Sequence, residues 1–305
     1  MNAIMGKLEI LNGIHESDMA VIMTAYQDFS FIKYNVEHLH KGFDVYIHVD
    51  KKRAIPQEFI DYCRALRNIW IDSRFRINWG GYEHLKAILY LLFFASSVKE
   101  YKRYVIMSEN EASLYTVESI KNFLNLQDDK NFIGMADING KDNSEDRINS
   151  YHFQYKYDIR DKSVRGIVKS YFWRSMQVAL RTINIRPHYK HNYRYKGYVY
   201  CALNNVAMSW LIVNHQEVSE AVEESKYLYV PEEYVLQNLL MESETIRDSI
   251  VNDSLIFDDW TKPELGTPRL LMKDDLDNII LSEKLFFRKI GTQSDLKEYI
   301  YTIER

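Results

Sequence analysis

The stretch Phe43-Asp44-Val45-Tyr46-Ile47-His48-Val49-Asp50-Lys51-Lys52 is rich in β-forming side chains and then stops on one carboxylate and two ammonium groups. Phe43–Val49 is predicted to be a strand, with its polar end at the strand's carboxyl edge. Upstream, Met19–Ala25 is an apolar run of strand length. Between the two, Ser30–His40 carries Phe31, Tyr34 and Leu39 at helical spacing. Downstream, Pro56 suits the start of a helix over Gln57–Arg67, and Ile69–Ile71 has strand composition. The alternation continues through helix Tyr82–Ser97, strand Tyr104–Met107, helix Val117–Leu126 and strand Phe132–Met135. Repeated strand–helix–strand units imply an α/β fold: a mainly parallel central sheet with helices on both faces. Such sheets bind ligands at the carboxyl ends of their strands.

The second half is less regular. Tyr198–Leu203 reads as a strand and Val206–Asn214 as a helix. A helix opened by Pro231 is expected to run to Glu242. Strand Leu255–Phe257, helix Asp274–Ser282, strand Leu285–Arg288 and a last helix, Asp295–Thr302, complete the chain. Between Lys156 and Lys196 there are eleven Lys or Arg against two Asp, among many aromatics. A solvated helix face is the commonest origin of such a run. Its functional readings are RNA contact through phosphates and stacking, or docking on anionic lipid or a polyprenyl-diphosphate acceptor. The lipid reading is preferred.

With 305 residues, 46% of them hydrophobic, the chain can build a sizeable core as one large domain. Residues 19–140 are expected to form its nucleotide-binding half and 141–305 its acceptor- and diphosphate-binding half. A net charge of −4 argues against a nucleic-acid partner for the chain as a whole. Cys63 and Cys201 form no disulfide framework and fit a reducing cytoplasm. Met1–Asp18 lacks the apolar core of a signal peptide. The longest mainly apolar stretch, Ile88–Val98, falls well short of the ~20 residues a spanning helix needs. Contact with a lipid-linked acceptor at the inner face of a cell membrane would therefore be peripheral.

Four stretches carry candidate chemistry. Asp50 ends its strand where a carboxylate can accept hydrogen bonds from a base or ribose, although a polar strand end is also ordinary. In Ile77-Asn78-Trp79-Gly80-Gly81-Tyr82, two glycines permit a sharp turn or close backbone approach beside a tryptophan. The bland alternative is a tight loop with a packed ring. In Val230-Pro231-Glu232-Glu233-Tyr234, two glutamates in a first helical turn suit the helix dipole. One of them can equally serve as the general base that takes a proton from an attacking hydroxyl. Near the C-terminus come Asp258-Asp259-Trp260, Thr267-Pro268-Arg269 and Arg288-Lys289. Arg269 and Lys289 can compensate the charge that develops on a leaving diphosphate, or can be solvated surface bases. No convincing Asp-x-Asp follows a strand, so no metal is assigned. His38, His40, His48 and His84 lack metal-site spacing.

Taken in order, these stretches resemble the core-2/I-branching β-1,6-N-acetylglucosaminyltransferase family, in its bacterial branch and with the related peptide O-xylosyltransferases. The resemblance runs from Met19 to about Ile290. It implies a GT-A fold, a UDP-sugar donor, inversion and no metal or other cofactor. It places Glu233 on the catalytic base, Arg269 and Lys289 on the diphosphate cations, and Asp50 near the uridine. Trp79 and Gly80 join the nucleotide site, and Trp260, Glu111 and Tyr200 the acceptor or sugar site. The implied partners are a UDP-sugar and a glycan or lipid-linked oligosaccharide in bacterial surface polysaccharide synthesis. The sequence departs from the family at Ser108-Glu109-Asn110-Glu111-Ala112-Ser113, where Ser-Gly-x-Asp-aromatic-Pro is expected. It departs again at Gly197-Tyr198-Val199-Tyr200, where the family has Gly-Ser-x-Trp, and at Pro231-Glu232-Glu233, in place of Pro-Asp-Glu. GlcNAc specificity is accordingly not carried over. The alternative is a catalytically degenerate sugar-nucleotide or glycan-binding module acting as an assembly partner.

Overall fold

The computed structural model describes residues 17–138, 144–263 and 266–305. The signal-peptide reading of Met1–Asp18 lies almost wholly outside them. In chain order the elements are β1 (Met19–Ala25), α1 (Phe29–Leu39), β2 (Asp44–Val49), α2 (Gln57–Ala65), β3 (Ile69–Asp72), α3 (Glu83–Val98), β4 (Arg103–Ser108), β5 (Glu111–Ala112), α4 (Val117–Leu126), β6 (Asn131–Phe132), β7 (Met135–Asp137) and α5 (Ser144–Asn149). There follow α6 (Val164–Thr182), β8 (Tyr195–Gly197), β9 (Ala202–Asn204), α7 (Asn205–Val213), α8 (His215–Glu224), α9 (Val235–Glu242), α10 (Glu244–Arg247), β10 (Ile250–Val251), β11 (Ile256–Phe257), α11 (Leu276–Leu281) and β12 (Phe286–Arg288). The fold is α/β with a mainly parallel sheet, as the alternating pattern predicts.

The chain forms two compact units, and one cut near residue 140 does not divide them. The first comprises the described residues up to Arg74, Phe94–Asp129 and Leu255–Arg305; the second comprises Phe75–Phe93 and Lys130–Ser254. The C-terminal segment returns to the first unit because β12 pairs antiparallel with β5 and parallel with β11.

In the first unit β4, β1, β2 and β3 lie side by side and all parallel. β1 and β2 are buried at every position, as expected of parallel strands covered on both faces. Asp44 at the start of β2 accepts from Tyr101 Oη at 2.6 Å, and Tyr101 Oη lies 2.8 Å from Tyr46 Oη. The buried Arg103 donates to the carbonyls of Leu124 and Gln127 at 3.3 and 2.7 Å, satisfying the end of α4. Burial holds its guanidinium down to about 10. Asp28 caps α1, and Thr116 caps α4.

In the second unit β10 pairs parallel and β9 antiparallel with β6, and β7 and β8 form an antiparallel ribbon. Two expected strands are therefore split. Phe132–Met135 divides into β6 and β7, which pair with different partners. Tyr198–Leu203 is replaced by β8 and β9, separated at Tyr198–Cys201. Gly197 explains the first ribbon: a Cβ there would lie 1.9 Å from the Gly134 carbonyl oxygen. The expected helix Pro231–Glu242 is interrupted. A 3-10 turn, Pro231–Glu233, precedes α9, and Tyr234 between them leaves helical geometry at φ −123°. The closing Asp295–Thr302 helix is a 3-10 stretch, Asp295–Tyr299. The basic segment contains a 19-residue helix, α6, capped by Ser163, of which only Gly166 is buried.

Candidate active site

In the first unit, β2 delivers Asp50 to the carboxyl edge of the parallel sheet. Asp50 is 2% exposed; its Oδ1 accepts the Lys52 backbone N–H at 2.9 Å and its Oδ2 is 3.5 Å from Lys52 Nζ. Beside it, at the ends of β1 and β4, Glu109 accepts the N–H groups of Tyr26 and Gln27 at 2.5 and 3.0 Å. Burial raises the Glu109 carboxyl despite these bonds. Arg53 lies 4.1 Å over the Tyr26 ring and donates to its hydroxyl. Asp50, Tyr26, Arg53 and Glu109 thus share the edge at which parallel sheets receive ligands. Of these only Asp50 is expected from the sequence; Tyr26 and Glu109 reach the edge through the register of β1 and β4, and Arg53 through the turn that follows Asp50.

Arg269 and Lys289 come onto neighbouring segments of the same unit, because the Leu271 N–H donates to the Lys289 carbonyl at 2.9 Å. Their surroundings differ. Arg269 Nε donates to Asp259 at 2.8 Å, and its terminal nitrogens donate to both oxygens of Asp275, one of them at 2.9 Å. These bonds raise the Arg269 pKa, the Asp275 contact most, and depress that of Asp275. Lys289 is half-buried, and among the described residues no carboxylate pairs with its ammonium. Trp260, on the same loop as Asp259, is 46% exposed and donates through Nε1 to Asp258 at 2.7 Å.

Glu111 is fully buried. It accepts from the Ser108 N–H and hydroxyl at 2.7 and 2.8 Å and lies 3.4 Å from Arg288 Nε. The altered 108–113 motif is therefore internally bonded, and its carboxylate faces Arg288, one residue before Lys289.

In the second unit the glutamate turn is held from below. Val230 stands in the left-handed region at φ +56°, and its N–H donates to the Gly80 carbonyl at 3.0 Å. Gly80 has φ +76°, and a Cβ there would come 3.0 Å from the Tyr229 ring. Trp79 meets Tyr229 edge-on at 5.6 Å, with the Arg160 guanidinium 5.3 Å from its ring centre. Trp79 and Gly80 thus belong to the unit of the glutamates and buttress their turn, whereas Asp50 belongs to the other unit. Tyr200 is in the second unit too, and buried.

The two glutamates are treated differently. Glu232 is buried, and its Oε1 lies 2.9 Å from His84 Nδ1. Glu233 is half-exposed; its Oε2 accepts from Arg147 at 3.0 Å and lies 3.7 Å from Lys196 Nζ. Burial raises the Glu233 carboxyl above its ordinary value. Lys196 pulls it down, Glu232 pushes it up, and Arg147 again lowers it. A carboxylate so balanced can take a proton and release it.

The family model described as Core-2/I-Branching enzyme matches residues 19–280. The chain belongs to the Core-2/I-branching enzyme family. It is a glycosyltransferase, and its mainly parallel α/β architecture is of the GT-A type that the resemblance implies. No curated protein sequence matches this family member. Among solved structures it is similar to core-mannan synthase A of Aspergillus fumigatus in its Mn/GDP form, with 7% identity and a TM-score of 0.36 over 79% of this chain and 74% of that one. It is also similar to the mannosyltransferase Ktr4p of S. cerevisiae in complex with GDP, with 11% identity and a TM-score of 0.38 over 77% and 69%. At these values neither likeness speaks to the donor or metal of this Core-2/I-branching enzyme. Among its described residues no helix is long and apolar enough to cross a membrane.

Proposed function

We propose that the protein is an inverting transferase that moves a sugar from a UDP-sugar to a glycan acceptor without a catalytic metal, in bacterial surface polysaccharide synthesis. Glu233 is the general base. The acceptor oxygen attacks the anomeric carbon, its proton passes to the Glu233 carboxylate, and the bond to UDP breaks with its electron pair on the β-phosphate oxygen. Lys289 and Arg269 compensate that charge in place of a divalent ion. Asp50 serves the uridine; Trp260 and Tyr200 serve the sugar and acceptor. Glu111 acts on that site through Arg288, while Trp79 and Gly80 fix the turn of the base.

The observation that carries this reading is the unequal treatment of the two glutamates. Glu232 is committed to His84, whereas Glu233 keeps an exposed face and a raised carboxyl. Loss of a positioned base costs about 10²–10⁴-fold. Glu233→Gln should therefore lower sugar transfer by that factor while UDP binding persists, in a UDP-release assay run with chelator present. Full transfer by this variant removes Glu233 from the mechanism; wild-type initial rates abolished by chelator and restored by Mn²⁺ or Mg²⁺ but not by Zn²⁺ remove the metal-free assignment.

The acceptor is proposed to be lipid-linked, and α6 to rest on the anionic inner face of the membrane. Val168, Tyr171, Phe172, Val178 and Ile183, on α6 and just beyond it, are 57–71% exposed. Arg165, Lys169, Arg174 and Arg181 share the helix with no acidic residue. Basic, aromatic and aliphatic side chains on one exposed helix suit the headgroup boundary, where each cation contributes ~1 kcal/mol. The protein should sediment with vesicles containing anionic lipid and not with neutral ones, and Val168→Glu with Phe172→Glu should abolish this. Equal behaviour on both vesicles excludes the docking.

A further inference from the structure

Apart from the groups assigned to transfer, the second unit gathers a histidine and two carboxylates from three separate segments. His191 lies in the strand's approach to β8, Glu217 in the first turn of α8, and Glu242 at the last position of α9. Each offers one ligand atom, and these atoms all lie within 4.8 Å of one another. His191 is the fixed member: its side chain is 5% exposed. Its backbone N–H donates to Glu224 Oε1 at 3.2 Å, the Tyr193 hydroxyl donates to the same oxygen at 2.8 Å, and the Lys190 N–H donates to Glu224 Oε2 at 2.8 Å.

The imidazole itself is incompletely satisfied. Its Nε2 is buried and has no hydrogen-bond partner among the described residues, a condition that folded proteins rarely leave unmet. Its Nδ1 lies 3.6 Å from Glu242 Oε1. Ligand atoms about 2.0–2.1 Å from a tetrahedral ion are roughly 3.4 Å apart, so this edge is near the required length. Glu217 is half-exposed and Glu242 is exposed, which leaves both carboxylates room to close the remaining distance by rotamer change.

We propose that His191, Glu217 and Glu242 bind one divalent transition ion of the zinc class, with solvent completing the coordination. Mixed imidazole and carboxylate donors suit that class, whereas calcium and magnesium favour all-oxygen shells. The ion offsets two carboxylates drawn toward one point and bonds the ring nitrogen that faces Glu242, Nδ1. It ties the segment before β8 to α8 and to the end of α9. β8 carries Lys196, and α9 begins just after Glu233, so the ion braces the frame of that turn without touching reacting atoms. The binding claim does not rest on the transferase reading.

The test uses the purified full chain, stripped with chelator and titrated by calorimetry with Zn²⁺ alone, no donor present. One Zn²⁺ per chain and a raised thermal midpoint are expected. Loss of an outer hydrogen-bonding partner of a metal ligand already costs about 10–100-fold, so Glu217→Gln and His191→Ala should each weaken binding by roughly 100-fold or more. Co²⁺ should give the visible absorption of a four-coordinate site in the unaltered protein and lose it in both variants. Absence of saturable Zn²⁺ binding overturns the proposal, as does unchanged binding in Glu217→Gln, whose half-exposed side chain the fold does not need. Either result leaves the Glu233→Gln assay standing on its own.

Discussion

The two units carry ionic clusters of opposite composition. In the first, one guanidinium, Arg269, faces two carboxylates, Asp259 and Asp275; in the second, one carboxylate, Glu233, faces two cations, Arg147 and Lys196. An anion arriving at Arg269 meets a charge already compensated and must compete with carboxylates bonded in good geometry. Lys289, on the neighbouring segment, carries no such commitment. Glu233 is the converse case. Burial drives its proton affinity up while two cations restrain it. The contrast teaches that similar ion pairs serve different ends: the Arg269 cluster fixes a cation in position, and the Glu233 cluster sets a proton affinity.

The comparison can be broken most severely at Lys289. If this ammonium is the cation that compensates the leaving group, Lys289→Met should reduce kcat/KM for transfer by about 10²–10³-fold, with the thermal midpoint little changed. A small effect, together with a large one from Arg269→Met, would give Arg269 the larger share of that compensation.

Asp275→Asn sharpens the same contrast. Arg269 would lose one of its two anionic partners, so UDP should bind severalfold more tightly by calorimetry. The pair's removal should cost about 1–3 kcal/mol in denaturant unfolding. Arg269 depresses the Asp275 pKa, so the pair stabilises the fold above the unfolded-state value near 3.9. That contribution is lost as pH falls through the depressed value, and the variant's deficit should shrink there.

The smallest expected effect is a shift rather than a loss. Glu233 must be ionised to accept a proton, so kcat/KM falls as pH drops through its pKa. Lys196 holds that pKa down and Arg147 acts in the same sense. Lys196→Met should therefore move the acidic limb of the profile to higher pH, and Arg147→Gln should move it the same way. A limb that stays in place in both variants would detach these cations from the titration of the base.

The sheet of the first unit was legible because its signal is local. β1 and α4 begin and end where apolar spacing places them, and β2 and β3 differ from expectation by one residue at an end. β1 and β2 are buried along their whole length and β3 at its start, so composition reports them, while α4 shows the spaced apolar face of an amphipathic helix. α6 was hidden for the opposite reason. Only Gly166 is buried, so no apolar stripe marks the helix, and its charge reads first. The Pro231–Glu242 helix is shorter than its spacing predicts because its interruption depends on Tyr234, which is fully buried, a tertiary demand that spacing does not encode. Residue types at the candidate site were readable, but their partners were not. Arg147 is 86 positions from Glu233, and His84 is 148 from Glu232. The Asp259 and Asp275 contacts, 10 and 6 positions from Arg269, are the ones a closer look at local charge could have found.

Val230, immediately before the Pro231–Glu233 turn, occupies backbone space that β-branched residues ordinarily avoid. Glycine would rest there at lower cost. Selection for heat resistance alone would thus favour a simpler residue at 230 and would widen the range of directions in which the following glutamate points. Position 230 is where an engineer improving durability and one improving turnover would make opposite choices.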